Sequence, residues 1–319
     1  MSNETITLES APCSLGCMED DEYIFSGKDL LHNVCGTYKV VRCRTCGLMR
    51  TNPRPTPESI GLYYPENYSP YLETLVSLNK KDQSSRIKQL LKPAVNWIFN
   101  SHGMVLPLLK PGRMLEIGCA SGSFLHHMDK KGWEVQGVEF SEMAAKEAMK
   151  LGFAVHQGAL ENAPQPKETF DLIVGWMVLE HLHDPVASLK KLKVWAKPGA
   201  WMVLSVPNAG SIEFELFKGM GFALQLPTHL YHFTPKTLEQ VLKASGWKLE
   251  KIYHQRTINN LIGSLGHVLQ NHGLTKIGLH LVKFPEKGGL LTYFIFPFAL
   301  VLSLFGQTGR MTIWARKIK

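Results

Sequence analysis

Short apolar segments alternate with amphipathic ones through most of the chain after residue 110. The apolar segments predict strands at 113–117, 134–139, 154–157, 170–176, 200–206, 247–254 and, late in the chain, 311–317. The segments between them predict helices at 123–131, 141–150, 185–196 and 234–245. Strands that alternate with helices build a mostly parallel sheet covered on both faces. The pattern therefore predicts a doubly wound, Rossmann-like α/β domain with seven strands.

A glycine turn follows the first predicted strand, and an acidic residue ends the second. Gly118 and Gly122 let the backbone turn sharply and approach a ligand at the mouth of the sheet. Glu139 is placed where a carboxylate accepts both ribose hydroxyls of a nucleoside. Glu116, two residues before the first glycine, would repel a pyrophosphate but suits the ammonium of a methionyl group. The turn is also not G-x-G-x-x-G, so the pattern points away from NAD.

Five segments together resemble the successive motifs of class I S-adenosylmethionine-dependent methyltransferases. They are LEIGCASG at 115–122, GVEFS at 137–141, FDLIV at 170–174, VLEHLHDP at 178–185 and KPGAWMVL at 197–204. Each motif alone is loose, and the combination, which runs from about residue 113 to 247, is specific. One departure is Ala120, which replaces a second glycine. An alanine can be accommodated at this position if its φ stays negative.

The resemblance implies S-adenosylmethionine as the cofactor. By that resemblance Glu116 would hold the methionyl amine and Glu139 the ribose, while Phe140 would lie against the adenine. Trp176 and Met177 would line the sulfonium side. Ordinary core packing is the alternative for Phe140 and for Trp176. The other residues implied in cofactor binding are Gly118, Cys119, Gly122, Gly158, Ala159 and Leu160.

Three histidines are candidate proton acceptors. Methyl transfer is an in-line displacement, so the protein has to align the acceptor and, where needed, remove a proton. His181 follows the fourth strand, whereas His229 and His232 lie in the long connection after the fifth strand, with Tyr231 as a further candidate contact. A histidine can take a proton near neutral pH from a hydroxyl or an activated carbon. A structural hydrogen bond is the alternative role for each of them.

Four of the six cysteines form two close pairs, Cys13 with Cys17 and Cys43 with Cys46. Two such pairs, brought together by a hairpin, give the tetrahedral sulfur site that suits Zn²⁺. We therefore expect a small zinc-ribbon-like module over 1–57 that ends in a stiff proline-rich linker at 53–57. This module also resembles the zinc-bearing leader of some of the same methyltransferases, including sugar C-methyltransferases.

The remaining sequence divides into three parts: a helical lead-in at 58–110, the Rossmann-like domain at 111–257 and 307–319, and an apolar helical insertion at 258–306. The apolar stretch at 290–305 is shorter than the roughly 20 residues of a membrane span, and Pro297 divides it. A single crossing would also separate the last strand from its sheet. We expect a helical pair that covers the active site, forms a dimer contact or meets a membrane interface through 288–306. In the membrane case, the nearby cationic side chains would face an anionic leaflet: Lys276, Lys283, Lys287 and Arg310.

The net charge of +8 indicates either an anionic partner or simply a basic surface that favours solubility. The N-terminus has no signal-peptide pattern, so we expect a cytoplasmic protein, with peripheral contact at the inner membrane face if the insertion binds lipid. The leading hypothesis is methyl transfer to a small-molecule, glycan or lipid-linked acceptor. One alternative is a zinc-ribbon protein that binds a nucleoside without catalysis. The other, an RNA methyltransferase, is disfavoured because no dense Lys/Arg stripe with interleaved aromatics is present.

Overall fold

The computed structural model describes residues 6–30, 35–64, 104–284 and 291–318. Most of the predicted helical lead-in, 65–103, lies outside these described residues, as do Lys287 and residues 288–290 of the apolar segment. The described residues form one seven-stranded sheet and two smaller sheets near the N-terminus.

The large sheet confirms the predicted doubly wound architecture. Its strands are β6 (Arg113–Ile117), β7 (Glu134–Glu139), β8 (Ala154–Gln157), β9 (Phe170–Trp176), β10 (Ala196–Pro207), β12 (Trp247–His254) and β13 (Arg310–Lys317). They lie in the order β12-β13-β10-β9-β6-β7-β8, and β13 is antiparallel to both of its neighbours. The chain moves outward from β6 to β8 and then returns to β9. The carboxyl ends of β6 and β9 therefore flank the crevice where such sheets bind ligands.

The helices that cover this sheet are α1 (Ser123–Asp129), α2 (Glu142–Lys150), α3 (Pro185–Trp195) and α5 (Pro235–Ala244). The short helix α4 (Ile212–Phe217) packs instead against one of the two smaller sheets, where the ring of Phe214 lies 5.6 Å from that of Phe25. Successive side chains of a strand point to opposite faces of the sheet. Both faces are buried here, each in an apolar cluster of its own. In β9, Ile173 belongs to one apolar cluster, whereas Leu172 and Val174 belong to the other. A strand buried on both faces reads as a continuous apolar run, which is the pattern of FDLIV.

The N-terminal part is joined to the catalytic domain by a shared sheet. The remaining strands are β1 (Leu8–Glu9), β2 (Asp21–Gly27), β3 (Tyr38–Cys43), β4 (Met49–Thr51), β5 (Arg54–Pro55) and β11 (Tyr231–His232). The four-stranded sheet has the order β11-β4-β3-β2, so its edge strand β11 comes from the connection after β10. The N-terminal module and that connection therefore fold against each other.

The predicted proline-rich linker at 53–57 is wrong. Arg54 and Pro55 pair with β1 and are buried. The Arg54 guanidinium donates to the Glu9 carboxylate at 2.8 Å and to the His183 carbonyl oxygen at 2.8 Å. A short 3₁₀ helix follows at Ile60–Tyr63. The chain here packs against the catalytic domain, because the buried guanidinium needs those hydrogen-bond partners.

The insertion contains α6 (Asn259–Asn271), α7 (Thr275–Val282) and α8 (Leu291–Leu304). The predicted break at Pro297 is wrong, since α8 continues through this residue. The insertion leaves β12 at His254 and returns to β13, where His254 pairs with Met311. Both ends thus meet at one edge of the sheet, as expected for a segment that makes no single crossing. Among the described helices, none is long and apolar enough to cross a membrane.

Candidate active site

A cavity of about 1430 Å³ opens at the carboxyl ends of β6, β7 and β9. Of the residues predicted to bind cofactor, Gly122 alone does not line it. The predicted residues that line it are Glu116, Gly118, Cys119, Glu139, Phe140, Gly158, Ala159, Leu160, Trp176 and Met177. Residues far apart in the sequence therefore meet at one site, as the strand order requires.

Glu116 lies within β6 and is only 2% exposed. One of its carboxylate oxygens, Oε2, has no hydrogen-bond partner among the described residues. Burial, followed by the nearby Glu139 carboxylate, raises the pKa of Glu116 well above its usual range. A buried carboxylate with an unsatisfied oxygen calls for a cationic donor. The ammonium of a methionyl group fits this requirement.

Glu139 ends β7, and its two carboxylate oxygens accept backbone hydrogen bonds. Oε2 accepts from the Ala120 amide at 2.8 Å, and Oε1 accepts from the Ser141 amide at 2.7 Å. Burial is the largest influence and raises the pKa of Glu139, although these backbone bonds favour the charged form. Each oxygen keeps a free lone pair. The carboxylate can therefore accept two ribose hydroxyls while the glycine turn holds it in place.

The glycine turn is shaped by three residues with positive φ. Gly118 (φ +65°) has no space for a side chain, because a Cβ would lie 2.3 Å from Cγ2 of Val178. Ala120 has φ +45°, so the condition under which an alanine fits without strain is not met; the tight turn that brings its amide to Glu139 imposes this conformation. At Gly122 (φ +82°) a Cβ would crowd Ala148 and Phe153. Gly122 serves helix packing behind the turn, which is why it does not line the cavity.

Phe140 and Trp176 border the cavity, and Trp176 also packs against one of the two apolar core clusters. Phe140 is 46% exposed, and its ring lies 6.1 Å from that of Tyr64. Trp176 packs edge-on against Phe124 at 5.1 Å, and its buried Nε1 has no partner among the described residues. Met177 follows with φ +58°, a strained conformation for a non-glycine residue. Strain and unsatisfied polar atoms gather at functional sites.

His181 lies in a 3₁₀ turn directly after β9 and lines the cavity. Its Nδ1 lies 2.9 Å from the Thr228 carbonyl oxygen and 2.8 Å from the Tyr64 hydroxyl. A carbonyl oxygen only accepts, so Nδ1 carries the hydrogen and Nε2 keeps a lone pair. Burial lowers the pKa of His181 to about 4, which leaves the imidazole neutral near pH 7.

His229 is buried next to His181, with the two rings 4.6 Å apart and nearly perpendicular. Burial, and then the neighbouring His181, lowers the pKa of His229 well below its usual range. Its Nδ1 has no partner among the described residues. Glu180 belongs to the same cluster. One of its carboxylate oxygens and one ring nitrogen each of His181 and His229 lie within 4.8 Å of one another. Burial raises the pKa of Glu180 to about 8.

The structure does not bring His232 to the cavity. It lies on β11, where its Nε2 is 3.2 Å from the Thr51 hydroxyl, and burial lowers its pKa to about 3. Pairing of β11 with β4 turns this histidine into the interface with the N-terminal sheet. Tyr231 also has a structural role, because its hydroxyl oxygen accepts a hydrogen bond from the Arg54 guanidinium at 3.3 Å. The alternative interpretation, a structural hydrogen bond, describes His232 best.

Among the lining residues that sequence reasoning missed are Tyr64, Gln225 and Arg310. Tyr64 follows the 3₁₀ helix Ile60–Tyr63, at the start of the predicted lead-in, and Arg310 is the first residue of β13. Burial lowers the pKa of Arg310 below its usual range. The buried carboxyl groups of Glu213 and Glu180 oppose this change but do not outweigh it. No motif marks these positions, because long-range pairing of β4 with β11 and of β13 with β10 and β12 puts them there.

The four paired cysteines come together as predicted. One sulfur from each of Cys13, Cys17, Cys43 and Cys46 lies within 4.8 Å of the others. The sulfurs of Cys13 and Cys46 are 3.5 Å apart. Tetrahedral zinc with Zn–S bonds of about 2.3 Å places its sulfurs about 3.8 Å apart. The donor set and its spacing fit Zn²⁺.

The strand order, the glycine turn and the two buried carboxylates together define a class I S-adenosylmethionine-dependent methyltransferase. The family model described as "Methyltransferase domain" matches residues 87–252, more than half of the chain. The chain belongs to this family. It is therefore a methyltransferase that uses S-adenosylmethionine, and the predicted class is confirmed.

Relatives with curated names include ubiquinone biosynthesis O-methyltransferases. That of Bordetella bronchiseptica is 29% identical over 168 residues, which cover 49% of this chain and 68% of the relative. That of Acinetobacter baylyi is 25% identical over 187 residues, which cover 53% of this chain and 76% of the relative. Among solved structures, an S-adenosylmethionine dependent methyltransferase from Mesorhizobium loti is 16% identical with a TM-score of 0.44, covering 71% of this chain and 97% of that one.

Proposed function

We propose that this methyltransferase methylates an acidic hydroxyl, such as a phenol or an enol, of a small-molecule acceptor, and that His181 removes the hydroxyl proton. The observation that carries the proposal is the hydrogen bond from Nδ1 of His181 to the Thr228 carbonyl, which leaves Nε2 unprotonated at the cavity. The names of the curated O-methyltransferase relatives support oxygen as the methylated atom.

The low pKa of His181 selects the kind of acceptor. An imidazole whose pKa is about 4 is available as a base at neutral pH but is a weak one. A hydroxyl with a low pKa gives up its proton to such a base more readily than an alkyl alcohol does. Glycan and lipid-linked acceptors with an acidic hydroxyl fall within the same proposal.

The residues divide the work of the reaction. Bound S-adenosylmethionine supplies the activated methyl group, and Glu116 and Glu139 would hold its amine and its ribose. Tyr64 and Thr228 both contact Nδ1 of His181 and so fix the orientation of its ring. Glu180 lies beside His181, but with its pKa raised to about 8 it is mostly protonated near pH 7 and supplies little charge to balance an imidazolium.

The test is turnover of the full chain with a panel of acceptors: phenols, sugars and lipid-linked sugars. Mass spectrometry detects one added methyl group. We expect His181→Gln to lower kcat by about 10²- to 10⁴-fold with little change in S-adenosylmethionine affinity. His272→Gln, at an exposed position after α6, is the matched control. Unchanged turnover in His181→Gln contradicts the proposed base. Cofactor binding without methylation of any acceptor favours the non-catalytic alternative.

We also propose that Cys13, Cys17, Cys43 and Cys46 bind one Zn²⁺. Support comes from the four clustered sulfurs, whose number and spacing suit a tetrahedral Zn²⁺ site. The ion would tie the turn after β3 to the loop before β2. Elemental analysis of the purified chain should find one zinc per molecule, and Cys43→Ser/Cys46→Ser should lack it. Zinc retained by that variant contradicts the assignment.

A further inference from the structure

Helix α8 exposes an entirely apolar face. Phe294, Phe298, Val301 and Leu304 are 80%, 54%, 50% and 74% exposed, and they follow one another at intervals of three or four residues. Such intervals place side chains on one side of a helix. A helix at a water-facing surface normally shows polar residues on its outer side. The exposed face of α8 has the character of a binding surface.

The charged side chains in the described part of the insertion have a single sign. Lys276 and Lys283 are exposed on and just after α7, which also exposes Ile277. Within the described ranges 255–284 and 291–309 there is no aspartate or glutamate. An apolar helix face accompanied by lysines without acidic residues complements an anionic lipid surface, which offers both acyl chains and negative headgroups.

The geometry favours docking in the plane of the membrane. The 14 residues of α8 span about 21 Å, less than the roughly 30 Å of a bilayer core. Both ends of the insertion are fixed at the sheet, where His254 pairs with Met311. A segment so held lies on a bilayer and does not cross it.

The insertion also returns beside the active site. Asn208 Nδ2 donates to the carbonyl oxygens of Gly306 and Thr308, each at 3.0 Å. Arg310, two residues later, lines the cavity. Contacts that anchor the end of α8 therefore lie next to the place where the acceptor would bind.

We propose that α7 and α8 dock on an anionic lipid bilayer. The docking does not depend on which acceptor is methylated, so failure of the proposed function would leave it standing.

Vesicle co-sedimentation of the full chain tests this docking. Vesicles of phosphatidylglycerol and phosphatidylcholine should retain the protein, whereas pure phosphatidylcholine should retain much less. Phe294→Ser/Phe298→Ser should weaken binding by at least about tenfold. Lys276→Gln/Lys283→Gln should weaken binding to anionic vesicles by about thirtyfold, from the worth of two lysines near such a surface.

Val194→Ser/Met149→Ser is the matched control, because both side chains are exposed and apolar but lie on α3 and α2. It should bind vesicles like the original chain. Sedimentation velocity and cofactor titration establish that each variant is folded.

Absence of binding to anionic vesicles would overturn the proposal. If the chain that fails to bind is a dimer that separates on Phe294→Ser/Phe298→Ser, α8 is a contact between two copies.

Discussion

Glu116→Gln should weaken cofactor binding and at the same time stabilise the free protein. The glutamate is nearly fully buried, and one carboxylate oxygen has no partner among the described residues. Its charge is therefore unfavourable until a cation arrives. Glutamine keeps the size and hydrogen-bonding capacity of the side chain but removes the charge.

The magnitude follows from the bond that is lost. A hydrogen bond to a charged group contributes about 1.5–3 kcal/mol, so the Kd should rise by about ten- to a hundredfold. The sign of the stability change follows from the raised pKa of Glu116. The folded state holds this proton to higher pH than the unfolded state, so the glutamate costs stability increasingly as pH rises. The gain from Glu116→Gln should be larger at pH 8 than at pH 5.

Isothermal titration with S-adenosylhomocysteine and thermal unfolding of the free protein measure the two effects. Glu239→Gln, an exposed glutamate on α5, is the control and should change neither quantity. If Glu116→Gln binds the cofactor product as tightly as the original chain, Glu116 does not hold the amine. If it also lowers the melting temperature of the free protein, the glutamate already has a stabilising partner and the reasoning fails.

Three other changes have expected outcomes. Gly118→Ala should destabilise the fold by about 1–3 kcal/mol in urea, since its Cβ would strike Val178, and Val178→Ala should restore part of this loss. His232→Gln should reduce acid sensitivity: burial lowers the histidine pKa to about 3, so between pH 6.5 and that value only the unfolded state gains the proton. Urea titrations at several pH values measure the free energy of unfolding. As the pH falls, this free energy should decrease in the variant by up to about 1.4 kcal/mol per pH unit less than in the original chain. Chelation of zinc should lower the melting temperature and turnover together, because β4 pairs with β11; turnover unaffected by chelation would contradict this coupling.

The catalytic sheet could be predicted because its signals are local. A strand buried on both faces, such as β9, is visible as an apolar run in the sequence. The turn that begins at Gly118 is indicated by its two glycines. The role of Glu139 could be predicted from its position at the carboxyl end of β7. These features depend on a few neighbouring residues, so the motifs locate ten residues of the cavity lining without knowledge of the tertiary structure.

The rest of the site depends on pairings that sequence patterns do not encode. Tyr64 reaches His181 across 117 positions of sequence, and Arg310 enters the cavity because β13 inserts between β10 and β12. The error at 53–57 has the same origin: prolines indicate a stiff segment, but the burial of Arg54 is decided by Glu9 and His183. The positive φ of Ala120 was not foreseen, because the hydrogen bond to Glu139 imposes a conformation that its residue type disfavours.

The N-terminal module takes part in building the acceptor end of the cavity. Thr51 donates its hydroxyl hydrogen to the His229 carbonyl at 2.7 Å, and its amide donates to Leu230 at 2.9 Å. The backbone around His229 is thus held by the strand that follows the second cysteine pair. Tyr64, beyond that strand, contacts His181 directly. Loss of the cysteine cluster should therefore disturb both histidines while leaving Glu116 and Glu139 in place. Cofactor affinity should survive removal of zinc better than turnover does, and equal loss of both would refute this division.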